Sequence, residues 1–171
     1  RYPKYGQTVT VHTWPGKTRH AFFPRHYRFE QDGQTIGCAT TLYVLMDIQE
    51  RKMAHPSRLP GELPQCDIPA PMPAPGSIAL PEAEPVVFDH PVRYTDLDFN
   101  GHVNNTKYAN YVLDVLKLSE ETPIRTFHIH YRKELLLGIP VTVYTQYEQG
   151  VYDVMGKNEQ GETMFNCQIC I

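Results

Sequence analysis

Apolar and polar residues recur with two different periods along this chain, and the change of period marks out its elements. Over residues 104–116, Tyr108, Tyr111, Val112, Val115 and Leu116 fall at i, i+3, i+4, i+7 and i+8, which predicts a helix with one apolar stripe. Asn104 or Asn105 stands where such a helix takes its cap. Further on, Phe127, Ile129 and Tyr131 alternate with His128, His130 and Arg132, the period of a half-buried strand. Residues 86–89, 141–147, 151–157 and 163–171 are predicted as further strands, with turns at Gln149-Gly150 and Gln160-Gly161. Strand, helix, then four strands is the order of an α+β unit in which an antiparallel sheet wraps one long helix.

The pattern appears twice. G-Q-T-V-T-V-H-T at 6–13 matches G-I-P-V-T-V-Y-T at 138–145, and G-Q-T-I-G-C at 33–38 matches G-E-T-M-F-N-C at 161–167. The two offsets are similar and run in the same order, so the chain reads as two copies of one unit. Between them lies a stretch with nine of the fifteen prolines, from Pro56 to Pro85. Proline lacks the ladder donor and fixes φ, so residues 56–85 are expected to be a semi-stiff connector between an incomplete first unit (1–55) and a full second one (86–171). The helix and strand that would open the first copy have no sequence here, which implies a longer natural protein. A bare sheet face is unstable alone. Either another chain covers it, as in a homodimer, or the missing part does.

Composition narrows the class. The apolar share of 41% suffices for a core, no apolar run approaches the roughly 18 residues of a membrane span, and no signal peptide is visible. Four cysteines are too few for a disulfide scaffold and fit a reducing, cytoplasmic (bacterial) setting. A net charge of −3 argues against nucleic acid as partner. The charge is uneven, however. Residues 1–60 hold nine Lys/Arg against four Asp/Glu, and residues 61–171 hold seven against fifteen. The basic half is expected to face something acidic, or simply to be solvated differently.

Asp96, Asp98, Asn100 and His102 are spaced by two immediately ahead of the predicted helix, and in an extended segment they would share one side. Gly101 permits close backbone approach, and the helix start offers N–H groups and a positive dipole end. Hydrolysis of a thioester needs a polarised carbonyl, a water or carboxylate nucleophile and a stabilised oxyanion, and this stretch holds candidates for each.

The run D-L-D-F-N-G-H-V-N-N-T-K-Y at 96–108 resembles the C-terminal motif of the acyl-acyl-carrier-protein thioesterases of bacteria and plastids, which are tandem hot-dog proteins. R-Y-P-K-Y-G-Q-T-V-T-V-H-T-W-P at 1–15 and T-L-Y-V-L-M-D-I-Q-E-R-K at 41–52 resemble their N-terminal domain. The resemblance implies a double hot-dog fold whose first copy here lacks its N-terminal strand and helix. It also implies hydrolysis of fatty acyl-acyl carrier protein, with acyl carrier protein as partner and no metal or organic cofactor. Carried over by position, the catalytic residues are Asp98, Asn100, His102 and, in Y-R-K-E-L, Glu134. Asn100 and His102 would hold and polarise the thioester, Asp98 would orient them, and Glu134 would activate water. Direct attack by Asp98 to give a mixed anhydride stays open.

Rival chemistries are less well served. Leu135 stands where some relatives carry a cysteine, which disfavours a thiol nucleophile, and no serine lies in a G-x-S-x-G elbow. Cys167 and Cys170 would point to opposite strand faces, and His128 and His130 read as ordinary strand residues rather than metal ligands. Tyr108 and Tyr111 read as helix core. An acyl-CoA thioesterase of the same fold and a non-catalytic acyl-binding module remain as alternatives; a pure binder has no need of all four polar residues.

Overall fold

Asp32 and Gly33 both carry positive φ, 51° and 73°, the pair of values that closes a two-residue hairpin while keeping the strand twist. The turn joins the second and third of the first strands, β1 (Thr10–Pro15), β2 (Phe22–Gln31) and β3 (Gln34–Val44), which form an antiparallel sheet in the order β1-β2-β3. A short hairpin follows, β4 (Met46–Asp47) with β5 (Lys52–Met53), then a single 3₁₀ turn at Pro56–Arg58. The computed structural model describes residues 2–50, 52–61, 63–78, 85–119 and 121–171, in two units, Arg1–Gly76 and Ser77–Ile171.

The second unit contains the helix. β6 (Pro85–Pro91) precedes a 3₁₀ turn at Tyr94–Asp96 and helix α1 (Asn105–Leu116). Then come β7 (Thr126–Tyr131), β8 (Pro140–Glu148), β9 (Val151–Lys157) and β10 (Thr163–Cys170), giving a five-stranded antiparallel sheet in the order β6-β8-β9-β10-β7. This is the expected hot-dog arrangement. Asn104 is the cap: its Oδ1 accepts the Thr106 N–H at 3.0 Å, and the helix ends at Lys117 in the left-handed conformation. The turns at Gln149-Gly150 and around Gly161 are as predicted, each glycine with positive φ.

The two copies share their internal order. β1-β2-β3 and β8-β9-β10 are both consecutive antiparallel strands, and the matched glycines, Gly6 with Gly138 and Gly33 with Gly161, all have φ between 73° and 83°.

α1 lays Tyr108, Tyr111 and Val112 against Val141 and Val143 of β8, Val154 of β9, and Phe165, Cys167 and Ile169 of β10. Val115 and Leu116 pack at its margin, so the five residues of the predicted stripe all face the core. β7 departs from the simple alternation. It is an edge strand, and although Ile129 joins the core, Phe127 and Tyr131 stay partly exposed because no further strand of the described residues pairs beyond it. Cys167 is fully buried, which pushes its thiol up to about 12, while Cys170, on the other face of β10, is half-exposed. No helix among the described residues is long and apolar enough to cross a membrane.

Phe165 needs a glycine opposite it. Gly156 is its cross-strand partner, and a Cβ there would stand 2.1 Å from the Phe165 ring, which is itself fully buried. Gly156→Ala is expected to cost about 1–3 kcal/mol through overpacking. Gly37→Ala, whose Cβ would meet nothing closer than the Phe29 ring at 3.7 Å, should cost no more than about 0.5 kcal/mol. Urea unfolding followed by far-UV circular dichroism compares the two.

Candidate active site

The segment between β6 and α1 does not run extended. After the 3₁₀ turn at Tyr94–Asp96 the chain makes a tight loop in which Leu97 pairs with Val103 and the Asp98 N–H donates to the His102 carbonyl at 2.8 Å. Gly101 closes it with φ of 77°. Asp98 clasps the loop from within: its Oδ1 accepts the N–H groups of Asn100 (2.8 Å) and His102 (3.3 Å), and its carbonyl accepts that of Gly101 (3.1 Å). This is the local bonding Asp adopts readily in turns. Asn100 Nδ2 lies 3.5 Å from the second carboxylate oxygen of Asp98.

The expectation that Asp96 shares a side with Asp98, Asn100 and His102 is overturned. Spacing by two aligns side chains only in an extended chain, and here Asp96 closes a helical turn instead. It is buried, with Oδ2 accepting the Tyr111 hydroxyl and the Arg93 N–H, each at 2.9 Å, and with the Lys107 ammonium 3.7 Å from Oδ1. Burial, followed by this bond to Asp96, pushes the Tyr111 hydroxyl well above its ordinary range. The Asp96 carbonyl also accepts the Asn104 N–H at 2.8 Å, which ties the start of the loop to the helix cap.

Glu134 arrives from the far end of β7. After Tyr131 the chain leaves the ladder, the N–H groups of Arg132 and Lys133 both turning to the Met164 carbonyl. Arg132 Nε donates to Asn166 Oδ1 at 2.9 Å. The next residues then run beside the loop: the Val103 N–H donates to the Leu135 carbonyl at 3.0 Å, and His102 pairs with Leu136. This brings Glu134 Oε2 to 3.3 Å from His102 Nε2. The imidazole is three-quarters covered and the carboxylate half exposed. Asp98, Asn100, His102 and Glu134 are thus gathered by one loop and the segment paired with it.

Tyr108 belongs to this neighbourhood as well as to the core. Its hydroxyl accepts the Leu135 N–H at 3.4 Å, next to Glu134, and burial pushes it up to about 12. Its ring meets Phe165 and Tyr131 edge-on, at 5.4 and 5.1 Å. Sequence reasoning assigned Tyr108 and Tyr111 to the core by their spacing, which holds. It missed their hydroxyls, and the signal available was the choice of Tyr over Phe at two buried positions. Asn105 and Asn104 act at the helix start, and His128 and His130 stand apart from the loop with their Nε2 atoms 3.1 Å from each other. No group of three or more potential metal ligands gathers among the described residues.

Every backbone N–H from Asn100 to Asn104 is already taken, by Asp98, Leu135 or Asp96. The polar side chains of this stretch, Asn100 Nδ2 and the His102 ring, stand beside these satisfied amides. Phe99, Leu136 and Leu137 expose apolar surface around them.

Residues 81–170 match the family model for the acyl-ACP thioesterase C-terminal domain, and residues 1–62 match that for the acyl-ACP thioesterase N-terminal domain. A dodecanoyl-[acyl-carrier-protein] hydrolase of Cinnamomum camphora chloroplasts is 30% identical over 148 residues, covering 78% of this chain. The chain spans 38% of that relative's length. An acyl-ACP thioesterase from Bacteroides thetaiotaomicron has a similar structure, with a TM-score of 0.84 and 26% identity over 95% of this chain and 68% of its own. The 12:0-ACP thioesterase from Umbellularia californica shares the fold at a TM-score of 0.82 and 23% identity, over 99% of this chain and 69% of its own.

The Asp96 contacts yield a stability test. Tyr111→Phe removes a hydrogen bond to a buried carboxylate and should cost about 1.5–3 kcal/mol. Tyr131→Phe removes an exposed bond to the Asn105 carbonyl, 3.3 Å long, and should cost under about 1 kcal/mol. Urea denaturation of the two variants measures the difference.

Proposed function

The chain belongs to the acyl-ACP thioesterase family, and we propose that the protein it represents hydrolyses fatty acyl-acyl carrier protein to free fatty acid and carrier thiol. The observation that carries this reading is the approach of His102 to Glu134 beside a loop held rigid by Asp98. Glu134, half exposed and 3.3 Å from the His102 ring, accepts a proton from water as the water oxygen bonds to the thioester carbon. The carbonyl π pair moves to oxygen, where Asn100 Nδ2 and the His102 ring are the donors available to meet the charge. As the tetrahedral centre collapses, the C–S bond breaks and sulfur takes the proton from the Glu134–His102 pair.

Asp98 acts in this scheme as the orienting group. One of its oxygens already accepts two amides, and spending it on attack would release the loop that presents Asn100 and His102. Water attack therefore has the stronger support of the two routes. The exposed Phe99, Leu136 and Leu137 suit an acyl substrate, and the unbridged thiols of Cys38, Cys66, Cys167 and Cys170 suit a reducing, cytoplasmic setting. The prolines from Pro56 onward serve as the connector between the two units.

Two experiments test this. His102→Ala and Glu134→Ala should each lower kcat on acyl carrier protein substrates by about 10²-fold or more while leaving the circular dichroism spectrum unchanged. A folded His102→Ala protein with near-normal turnover would overturn the assignment. The second concerns the carrier. Of the basic residues in the half expected to face something acidic, Arg1 and Arg51 lie outside the described residues, Lys17 and Arg58 pair with Asp67 and Asp47, and Arg25 bonds Thr13. Lys4, Arg19 and Lys52 form no ion pair among the described residues and have charge to offer. Lys4→Glu with Lys52→Glu should raise KM for the acidic carrier at low salt, an effect that about 0.15 M salt weakens by screening beyond about 8 Å. Hydrolysis of a carrier-free thioester should not change.

A further inference from the structure

The first unit holds a cavity of about 400 Å³ that the proposed chemistry does not use. One wall is the sheet face carrying Phe22, Pro24 and His26 of β2, with Leu42 and Thr40 of β3 opposite Pro24 and His26 in register. The other wall is the proline-rich segment from Cys66 to Ala74, including Ile68 and Met72. The volume lies in the range of about 300–1,000 Å³ typical of small-molecule sites.

Its polar groups are few and unequal. His26 is buried, with Nδ1 2.9 Å from Thr40 Oγ1 and Nε2 facing Gly16 so closely that a Cβ there would stand 2.5 Å away. Burial, and then the nearby Arg19 charge, holds the imidazole below its usual range, so it is neutral at pH 7. The formal charges at the rim are Lys17, Arg19 and Asp67. Lys17 and Asp67 pair at 3.1 Å and cancel, which leaves the exposed Arg19 guanidinium as the surplus among the described residues. An apolar interior with one unpaired cation at its edge complements an unbranched chain that ends in an anion.

We propose that this cavity binds a free fatty carboxylate, its chain between Phe22, Leu42 and Met72 and its head on Arg19. The choice of a carboxylate rests on the hydrolase reading, whose product is such a molecule. The first unit then carries a site for product apart from the Asp98–His102–Glu134 cluster.

Trp14 reports on it directly. It is the one tryptophan of the chain, buried, with its ring 5.8 Å from that of His26. Titrating this chain with decanoate should change Trp14 fluorescence saturably, with a midpoint below about 1 mM. Arg19→Gln, at an exposed position and checked for folding by circular dichroism, should raise that midpoint roughly tenfold, the scale of one charge-assisted contact. Decanol should bind wild type more weakly than decanoate and should be indifferent to Arg19→Gln. Absence of a saturable change, an unchanged midpoint in Arg19→Gln, or equal binding of decanol or decyltrimethylammonium would each overturn the proposal. The titration reads no turnover, so its failure would leave the catalytic assignment standing, and an inactive chain would not undo a positive result.

Discussion

A carboxylate taken out of water must find its hydrogen bonds inside the protein, and the second unit is organised around one that does. Asp96 is 6% exposed, and its oxygens are met by a tyrosine hydroxyl from the middle of α1, the main-chain amide of Arg93 just after β6 and an ammonium from the first turn of the helix. Its carbonyl receives the amide of the helix cap. Removing one of the carboxylate's partners would leave the buried charge with less compensation, which is more costly than an equivalent loss at the surface. The residues 96–104 are consequently pinned at both ends. The loop between them has little freedom left, and Asp98 removes most of that by binding the amides on either side of Gly101.

This rigidity has a chemical consequence. From Asn100 to Asn104 every amide is taken within the protein, so the polar groups this part of the loop presents are the side chains of Asn100 and His102. Glu134 reaches His102 only because the chain beyond β7 pairs with the loop through Val103, Leu135 and Leu136. The hydroxyl of Tyr108 supports the same segment at Leu135, from a ring seated in the core against Phe165. Core packing and site geometry are therefore one arrangement: the helix that fills the sheet also holds both strands of chain that carry the polar groups.

The proline-rich segment illustrates how composition can mislead about burial. Proline cannot donate to a ladder, and that much confines residues 66–74 to irregular structure. It says nothing about where the segment lies, and Ile68 and Met72 give it enough apolar surface to face the sheet across the cavity. A connector by composition thus also walls a pocket by position.

By itself the sequence determined what local periodicity and turn chemistry can encode. The stripe from Tyr108 to Leu116 recurs at the helical period because one face must be dry, so α1 was legible to within a residue. The turns at Gln149-Gly150 and Gly161 were legible because few residues accept positive φ. The cluster of Asp98, Asn100 and His102 was legible as a polar run next to a helix start, and Glu134 through resemblance to a family. Tertiary structure alone decided the rest. It turned Asp96 inward, since spacing by two loses its meaning once the chain folds into a 3₁₀ turn. It left Phe127 and Tyr131 exposed, since alternation does not reveal that a strand lies at a sheet edge. It set His102 3.3 Å from a carboxylate thirty-two positions along the chain, since contacts between distant segments depend on how the sheet closes on the helix, a free energy that belongs to no single stretch of residues.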